Sequence, residues 1–407
     1  MNSYHRFRAC AALVLGVFAA AWAHAGAPDT ILMDGDRLQA AREAVEAEHP
    51  VLAAGLERLR ESAESRLGAG PWSVVDKEET PPSGDKRDYM SQGPFWWPNP
   101  DTDDGLPYVR RDGERNPEAD ALDRRPLGSM ASAVQDLALA YFFTGEEAYA
   151  ERAAYFLRVW FLDEDTAMNP HLRFGQRIPG RTDGRGIGII DTVSLARMVD
   201  CAPLLTPSDA WSGDDHAALQ AWFREYRDWL LESDLGQDER VHPNNHGTWY
   251  DVQAAAFSLF VDDEDTAREI LGEVGERRVA TQIEPSGQQP LELERAQPFH
   301  YSSYNLDALI YLAELGAKLD VDVWGYEPED GGGIPDAVEY LVGYLDDKDA
   351  WDYEGIQDPA WGRLMAPLRR VALLTGDARY EEYVQQLAED RYASLEVLSL
   401  RYPWLEE

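Results

Sequence analysis

The sequence predicts an all-α fold made of successive antiparallel helical pairs around a common core. Three observations predict it. Apolar residues recur at i, i+3, i+4 and i+7 through most of the chain, few segments show the strict alternation of a strand, and one short turn, Thr-Gly-x-x-x-Tyr, occurs twice between periodic stretches. The first copy lies in MASAVQDLALAYFFTGEEAYAERAAYFLRVWFL (130–162), where glycine ends one helix at Thr144-Gly145 and a second follows at once, an αα-hairpin. The second copy is LLTGDARYEEYVQQLAE (373–389).

Taken in order, the period and the flanking breakers predict further helices at 36–67, 191–205, 214–233, 247–260, 264–283, 303–319, 335–346 and 361–374. Long polar or Pro/Gly-rich connections separate them at 68–127, 163–190, 234–246 and 284–302. Loops of this length in a compact domain are usually functional or disordered. Here they are rich in Trp, Arg, Asn, His and Tyr, which favours function.

At the start of the chain, Arg6 and Arg8 precede an apolar run from Ala9 to Ala23, which ends in Ala23-His24-Ala25. This pattern predicts a signal peptide over residues 1–25 and a single mature domain over 26–407, placed in the periplasm or secreted. No later stretch offers about 18 uninterrupted apolar residues, so no membrane span is expected. Cys10 falls in the leader and leaves Cys201 alone, so stability must come from the core and not from an internal disulfide. The formal net charge of −38, made more negative by two when Arg6 and Arg8 are lost, repels nucleic acid and anionic membranes. A polyanionic ligand would need a local basic exception. Nothing in the sequence sets an oligomeric state.

Three connections carry chemistry. In YMSQGPFWWPNPDTDDGLPYVRRDGERNPEAD (89–120), Trp96 and Trp97 stand between prolines as a rigid aromatic surface suited to stacking on sugar faces, or to pinning the loop on the core. In MNPHLRFGQRIPGRTDGRGIGIID (168–191), Arg173, Arg177, Arg181 and Arg185 form the basic exception, suited to carboxylates or to pairing with the acidic surface. In NNHGTWYDVQ (244–253) and LELERAQPFHYSSYN (291–305), Asn244, Asn245 and His246 precede one helix while Arg295, His300, Tyr301 and Tyr304 gather before another. Taken alone, Asn245 reads as a helix N-cap and His246 as a satisfied buried histidine.

An amide, an imidazole, a guanidinium and a phenol make no metal site. His242 and His246 are four apart, but Pro243 intervenes and the glutamate of a zinc-protease helix is missing. The chain has neither a G-x-S-x-G elbow nor a P-loop. All four groups would be used in removing the C5 proton of a uronic acid within a polysaccharide. Its carboxylate cannot take up the developing negative charge unaided, so donors and cations must neutralise it. Asn245 and Arg295 could do so with His246 close by, while Tyr301 takes the C5 proton or returns one to the O4 leaving group.

These segments together resemble the alginate lyase domain superfamily, specifically the helical-toroid lyases of polysaccharide lyase families 5 and 38, over roughly residues 88–310. The likeness rests on GPFWWPNPDTDDGLPYVRRDGERNPE, YAERAAYFLRVWFLDEDTAMNPHLRFGQRIPGRTDGRGIGIID, NNHGTWYDVQ and LELERAQPFHYSSYNL. It implies an incomplete (α/α) toroid with a groove across one end, no cofactor and no metal. The implied substrate is an anionic polysaccharide, alginate first and glucuronan second, cut by β-elimination. The Asn-His pair of those families matches Asn245 and His246, their downstream arginine matches Arg295, and their catalytic tyrosine matches Tyr301, with spacing closer to family 38. Trp96, Trp97, Arg173, Arg177 and Arg181 would then line the groove, with Asn244, His300 and Tyr304 beside the four, and Tyr304 a second phenol one turn on.

Two other readings stay open at this level. A glycoside hydrolase on the same toroid needs two positioned carboxylates, and the chain has many acids, Glu292 and Glu294 among them. A non-catalytic carbohydrate-binding protein would keep the aromatic groove.

Overall fold

The two Thr-Gly turns close their hairpins with the same hydrogen bonds. The Arg124–Thr144 helix ends at Gly145, whose φ of 67° is left-handed and whose N–H reaches the Tyr141 carbonyl at 2.7 Å. Thr144 Oγ1 donates back to the Ala140 carbonyl and accepts from the Glu146 N–H, and the Glu147–Leu157 helix follows. Gly376 ends the Met365–Thr375 helix at φ 73°, with Thr375 bonded to the Val371 carbonyl and the Asp377 N–H, before the Ala378–Leu387 helix. Glycine takes this backbone without a Cβ penalty, so the repeated dipeptide encodes a repeated turn.

The computed structural model describes residues 26–388 and 395–405. The signal peptide read at 1–25, with Cys10, lies outside the described residues. Burial separates two layers of helix. In the Asn245–Phe260 helix 14 of 16 residues are buried, so it has no solvent face and belongs to an inner ring. In the Glu264–Val274 helix only Ala267, Ile270, Leu271 and Val274 are buried, one stripe at 3–4 spacing, so it lies outside. The helices Arg124–Thr144, Val193–Val199, Asn245–Phe260, Pro298–Lys318 and Met365–Thr375 pack in that order as inner neighbours. The remaining gap is bridged by the Leu395–Arg401 helix, which packs on Pro50–Leu67. Around this bridge Arg369 donates to the Tyr402 carbonyl, Tyr402 meets Tyr311 at 3.1 Å, and Arg401 reaches Gln135. The result is an incomplete (α/α) toroid.

The connections read as loops at 68–127 and 163–190 meet at one end. Met90–Gln92 pairs in parallel with Phe174–Arg177, and Trp96–Trp97 pairs antiparallel with Val109–Arg110. Buried Asp191 joins both connections to the inner ring. It accepts from Tyr89, Ser91 and Gln176 and forms an ion pair with Arg124 at 3.2 Å.

Several boundaries differ from the sequence reading. The predicted helix 36–67 is two, Gly35–Glu46 and Pro50–Leu67, broken where Glu48 takes φ 58° ahead of Pro50. The stretch 191–205 divides into 3-10 turns around Val193–Val199, and 264–283 passes through a π turn at Gly275–Val279. The helix placed at 303–319 begins at Pro298, a residue suited to the first helical position. Within the 234–246 connection the chain forms a further short helix, Asp234–Arg240.

Candidate active site

Three inner helices begin at one place: Arg124–Thr144, Asn245–Phe260 and Pro298–Lys318 each contribute first-turn residues to a single cleft of about 560 Å³. Helix N-termini carry positive partial charge, so their convergence already favours an anion. The side chains reinforce it. Arg110, Arg115, Arg124, Arg185 and Arg295 line the cleft, and no aspartate or glutamate does among the described residues.

Asn244, not Asn245, is the helix cap: its Oδ1 accepts from the His246 N–H at 3.2 Å and contacts His242 Nδ1 at 2.8 Å. Asn245 therefore sits inside the first turn. Its backbone N–H and its side-chain amide both donate to the buried Glu292 carboxylate, at 2.7 Å for the backbone and 2.8–3.0 Å for the amide. Burial pushes Glu292 above the usual carboxyl range against the pull of these bonds. Gly247 is needed here, because a methyl group on it would strike the His242 carbonyl and the Arg278 guanidinium. Arg278 in turn is held by buried Asp251 at 2.8 Å and donates to the His242 carbonyl, fixing the loop before the helix.

His246 Nδ1 lies 2.8 Å from Glu239 Oε1, a fully buried carboxylate on the Asp234–Arg240 helix. A carboxylate can only accept, so Nδ1 carries the proton and Nε2 is the free, basic nitrogen. His242, 5.1 Å away ring to ring, is held below the ordinary histidine range by burial and by His246.

On the opposite wall Arg295 pairs with Asp112 through two bonds of 3.1 and 3.2 Å and lies 3.7 Å over the Tyr301 ring. Burial pushes the Asp112 carboxyl up, but the bonds from Arg295 outweigh it and hold the group below its ordinary range. Burial holds the Tyr301 phenol above its ordinary range, against a weaker downward pull from the same guanidinium. Its hydroxyl has no hydrogen-bond partner among the described residues, whereas its ring is fixed. Tyr304 is also pushed up by burial, and its ring lies between Trp249 at 4.9 Å and a stacked His300 at 5.9 Å. His300 is pushed down to about 4 by burial and by the neighbouring Arg363 and Arg295.

Of the residues singled out from sequence, Asn244, Asn245, His246, Arg295, His300, Tyr301, Tyr304 and Trp96 share this cleft. Trp97, Arg173, Arg177 and Arg181 are not among its lining residues. Trp97 donates to the Glu114 carbonyl beneath Arg111, and Arg177 is paired with Glu79. Arg181 donates to the Tyr108 carbonyl and stands 5.3 Å from the Trp96 ring. From the basic stretch only Arg185 reaches the cleft, bonded to Gln176 and pushed down by burial to about 10. Among the described residues no group of three or more His, Cys, Asp or Glu is placed to hold a metal, and no helix is long and apolar enough to cross a membrane.

The sequence profile of the alginate lyase family matches residues 73–351. The chain is also similar to the crystal structure of an alginate lyase from Bacteroides ovatus, at 38% identity and TM-score 0.88, over 93% of this chain and 100% of that one. It belongs to the alginate lyase family. More distant likenesses show the fold alone: alginate lyase A1-III from Sphingomonas species A1, at 15% identity, TM-score 0.54 and coverage of 93% and 98%, and a variant of A1-III complexed with a tetrasaccharide, at 14%, 0.57, and 95% and 99%. A comparison with curated proteins gives no match.

As a member of this family the protein is a polysaccharide lyase, and the lining of its cleft agrees with that chemistry. The paired acids of a glycoside hydrolase have no counterpart there, since Glu292 is tied up behind Asn245 and is not among the lining residues. Sequence reasoning missed Glu239, Arg124 and Asp112 in this alginate lyase site. Glu239 lies on a seven-residue helix too short to show a period, and the other two become relevant only once three distant segments meet.

Proposed function

We propose that this lyase cleaves alginate at mannuronate-type linkages by β-elimination, with Tyr301 as the base and then the acid. The observation that carries the reading is an unbonded, buried phenol sharing one cleft with five arginines and a histidine whose basic nitrogen is free. Likeness to the B. ovatus alginate lyase supports alginate as the polyuronate.

In this mechanism the uronate carboxylate binds against Arg295, with the Asn245–His246 turn beside it, so that charge developing at C5 meets cations. Tyr301 takes the C5 proton, and the Arg295 guanidinium over its ring offsets part of the cost that burial places on the charged phenol. The C4=C5 double bond forms as the C4–O4 bond breaks, and the same phenol passes its proton to O4. In mannuronate and glucuronate, which differ only at C2, the C5 hydrogen and O4 leave from the same side, so one phenol suffices. Guluronate presents its C5 hydrogen from the opposite side and needs a second base, the role assigned to His246. We also propose that residues 1–25 direct export to the periplasm or the medium.

The test is the ultraviolet absorbance of the unsaturated product from polymannuronate, polyguluronate and glucuronan side by side, with Tyr301→Phe and Tyr304→Phe variants. Tyr301→Phe is expected to abolish product on every substrate while Tyr304→Phe retains it. The reverse pattern in folded proteins would make Tyr304 the phenol, and product from glucuronan alone would replace the substrate.

A further inference from the structure

We propose a second anionic subsite beside the cleft, in the groove along the first turns of the Arg124–Thr144 helix. It would hold uronate carboxylates of the same polysaccharide chain, beyond the sugars at the cleaved bond. The inference rests on the polyuronate reading and extends it from the bond that breaks to the path of the chain.

The groove is shallow and open, offers about 510 Å³ and is lined by Arg66, Arg115, Arg124 and Arg125, with Asp120 as its only carboxylate among the described residues. Four cations against one anion stand out in a chain of net charge −38, where an average surface would repel this polymer. Arg115 and Arg124 line both the groove and the cleft, so the two spaces share a wall and a polymer can pass from one to the other.

The arginines are not all committed to the protein. Arg66 is held by Asp136 and Ser132, and Arg115 by Asp120. Arg124 spends its Nε on Asp191, while its Nη1 is buried with no hydrogen-bond partner. The exposed part of its side chain, 31% of the whole, forms the shared wall. Arg125 is exposed and has no ion pair among the described residues. The floor beneath it is open: a Cβ on Gly128 would meet no atom within 4 Å, and Ser129 and Ser132 lie at the same helical face. From Arg124 to Ser132 the face runs about 12 Å along the helix axis, so the groove is extended and not a point site.

The experiment compares kcat/KM on tri- and tetrasaccharides with kcat/KM on long polymannuronate. Wild-type protein should prefer the long chain, and the preference should shrink as salt rises. Arg125→Glu, and independently Gly128→Glu, should reduce the long-to-short ratio by roughly fivefold, the scale expected when one exposed cation is reversed or an anion is placed in its path. Arg37→Glu, an equal charge change on a distant helix, should leave the ratio alone. A wild type with no length preference, or groove variants that slow both substrates equally or neither, overturns the subsite and leaves the lyase reading intact. Absence of unsaturated product from every polyuronate removes both.

Discussion

His246 and His300 are both half-buried in one cleft, but the buried Glu239 stands behind the first, while Arg363 and Arg295 stand near the second. The carboxylate fixes which nitrogen of His246 keeps its proton and leaves the other as a base. The cations and burial hold His300 neutral, with its ring stacked on Tyr304. One residue type thus presents an unbonded ring nitrogen at one wall and an aromatic plate at the other, and the neighbours decide which.

The largest way to disturb this contrast is Arg295→Ala, which removes the cation facing Tyr301 and one of the two that hold His300 down. Turnover should fall by about three orders of magnitude, the scale of losing a donor at a developing oxyanion. Circular dichroism should show the fold kept. Wild-type-like turnover in the folded variant would remove Arg295 from the mechanism.

Glu239→Gln comes next, because an amide can donate to Nδ1 and stabilise the wrong tautomer of His246. A loss of about a hundredfold on guluronate linkages is expected, the lower end of what a general base supplies, with a smaller loss on mannuronate. Equal losses on both would show that Glu239 shapes the cleft as a whole instead of tuning one base.

The smallest effect should follow His300→Gln, and it concerns stability more than rate. His300 titrates at about 4 in the folded protein against an ordinary 6.5, so between those values the unfolded chain binds the extra proton. Stability from this group is present above pH 6.5 and is lost as pH falls towards 4. Thermal melts across that window should fall less steeply for His300→Gln than for wild type. Parallel slopes would show that another group carries the acid sensitivity.

The sequence made the hairpins legible because Thr144-Gly145 and Thr375-Gly376 encode their turn locally. It also made Asn245, His246, Arg295 and Tyr301 legible, since each stands in a short polar cluster just ahead of a predicted apolar helix. The register at those starts was less legible. The cap belongs to Asn244, and the Tyr301 helix opens at Pro298, because capping depends on which side chain turns back to the backbone. Nor do neighbouring arginines declare their direction. Arg173, Arg177, Arg181 and Arg185 are close in sequence, but Arg177 is spent on Glu79 while Arg181 and Arg185 both lie against the Trp96 ring, and only Arg185 lines the cleft. The charge of the cleft comes from Arg185 together with arginines of three other segments, information that only the assembled ring contains.

The gap in that ring is bridged by the Leu395–Arg401 helix. Gly55, on Pro50–Leu67, lets the Glu396 carbonyl approach so near that any larger residue would hold the Leu395–Arg401 helix away. Residues 50–67 are among the first described segments to be synthesised, and their neighbours at 395–401 are made more than three hundred residues later. Until then the Pro50–Leu67 helix leaves an apolar face without its partner, the condition under which nascent chains associate with one another or with chaperones. Assembly of this enzyme therefore waits on the synthesis of residues 395–401, and a chain interrupted before residue 395 would carry every residue of the cleft in a ring whose gap is still unbridged.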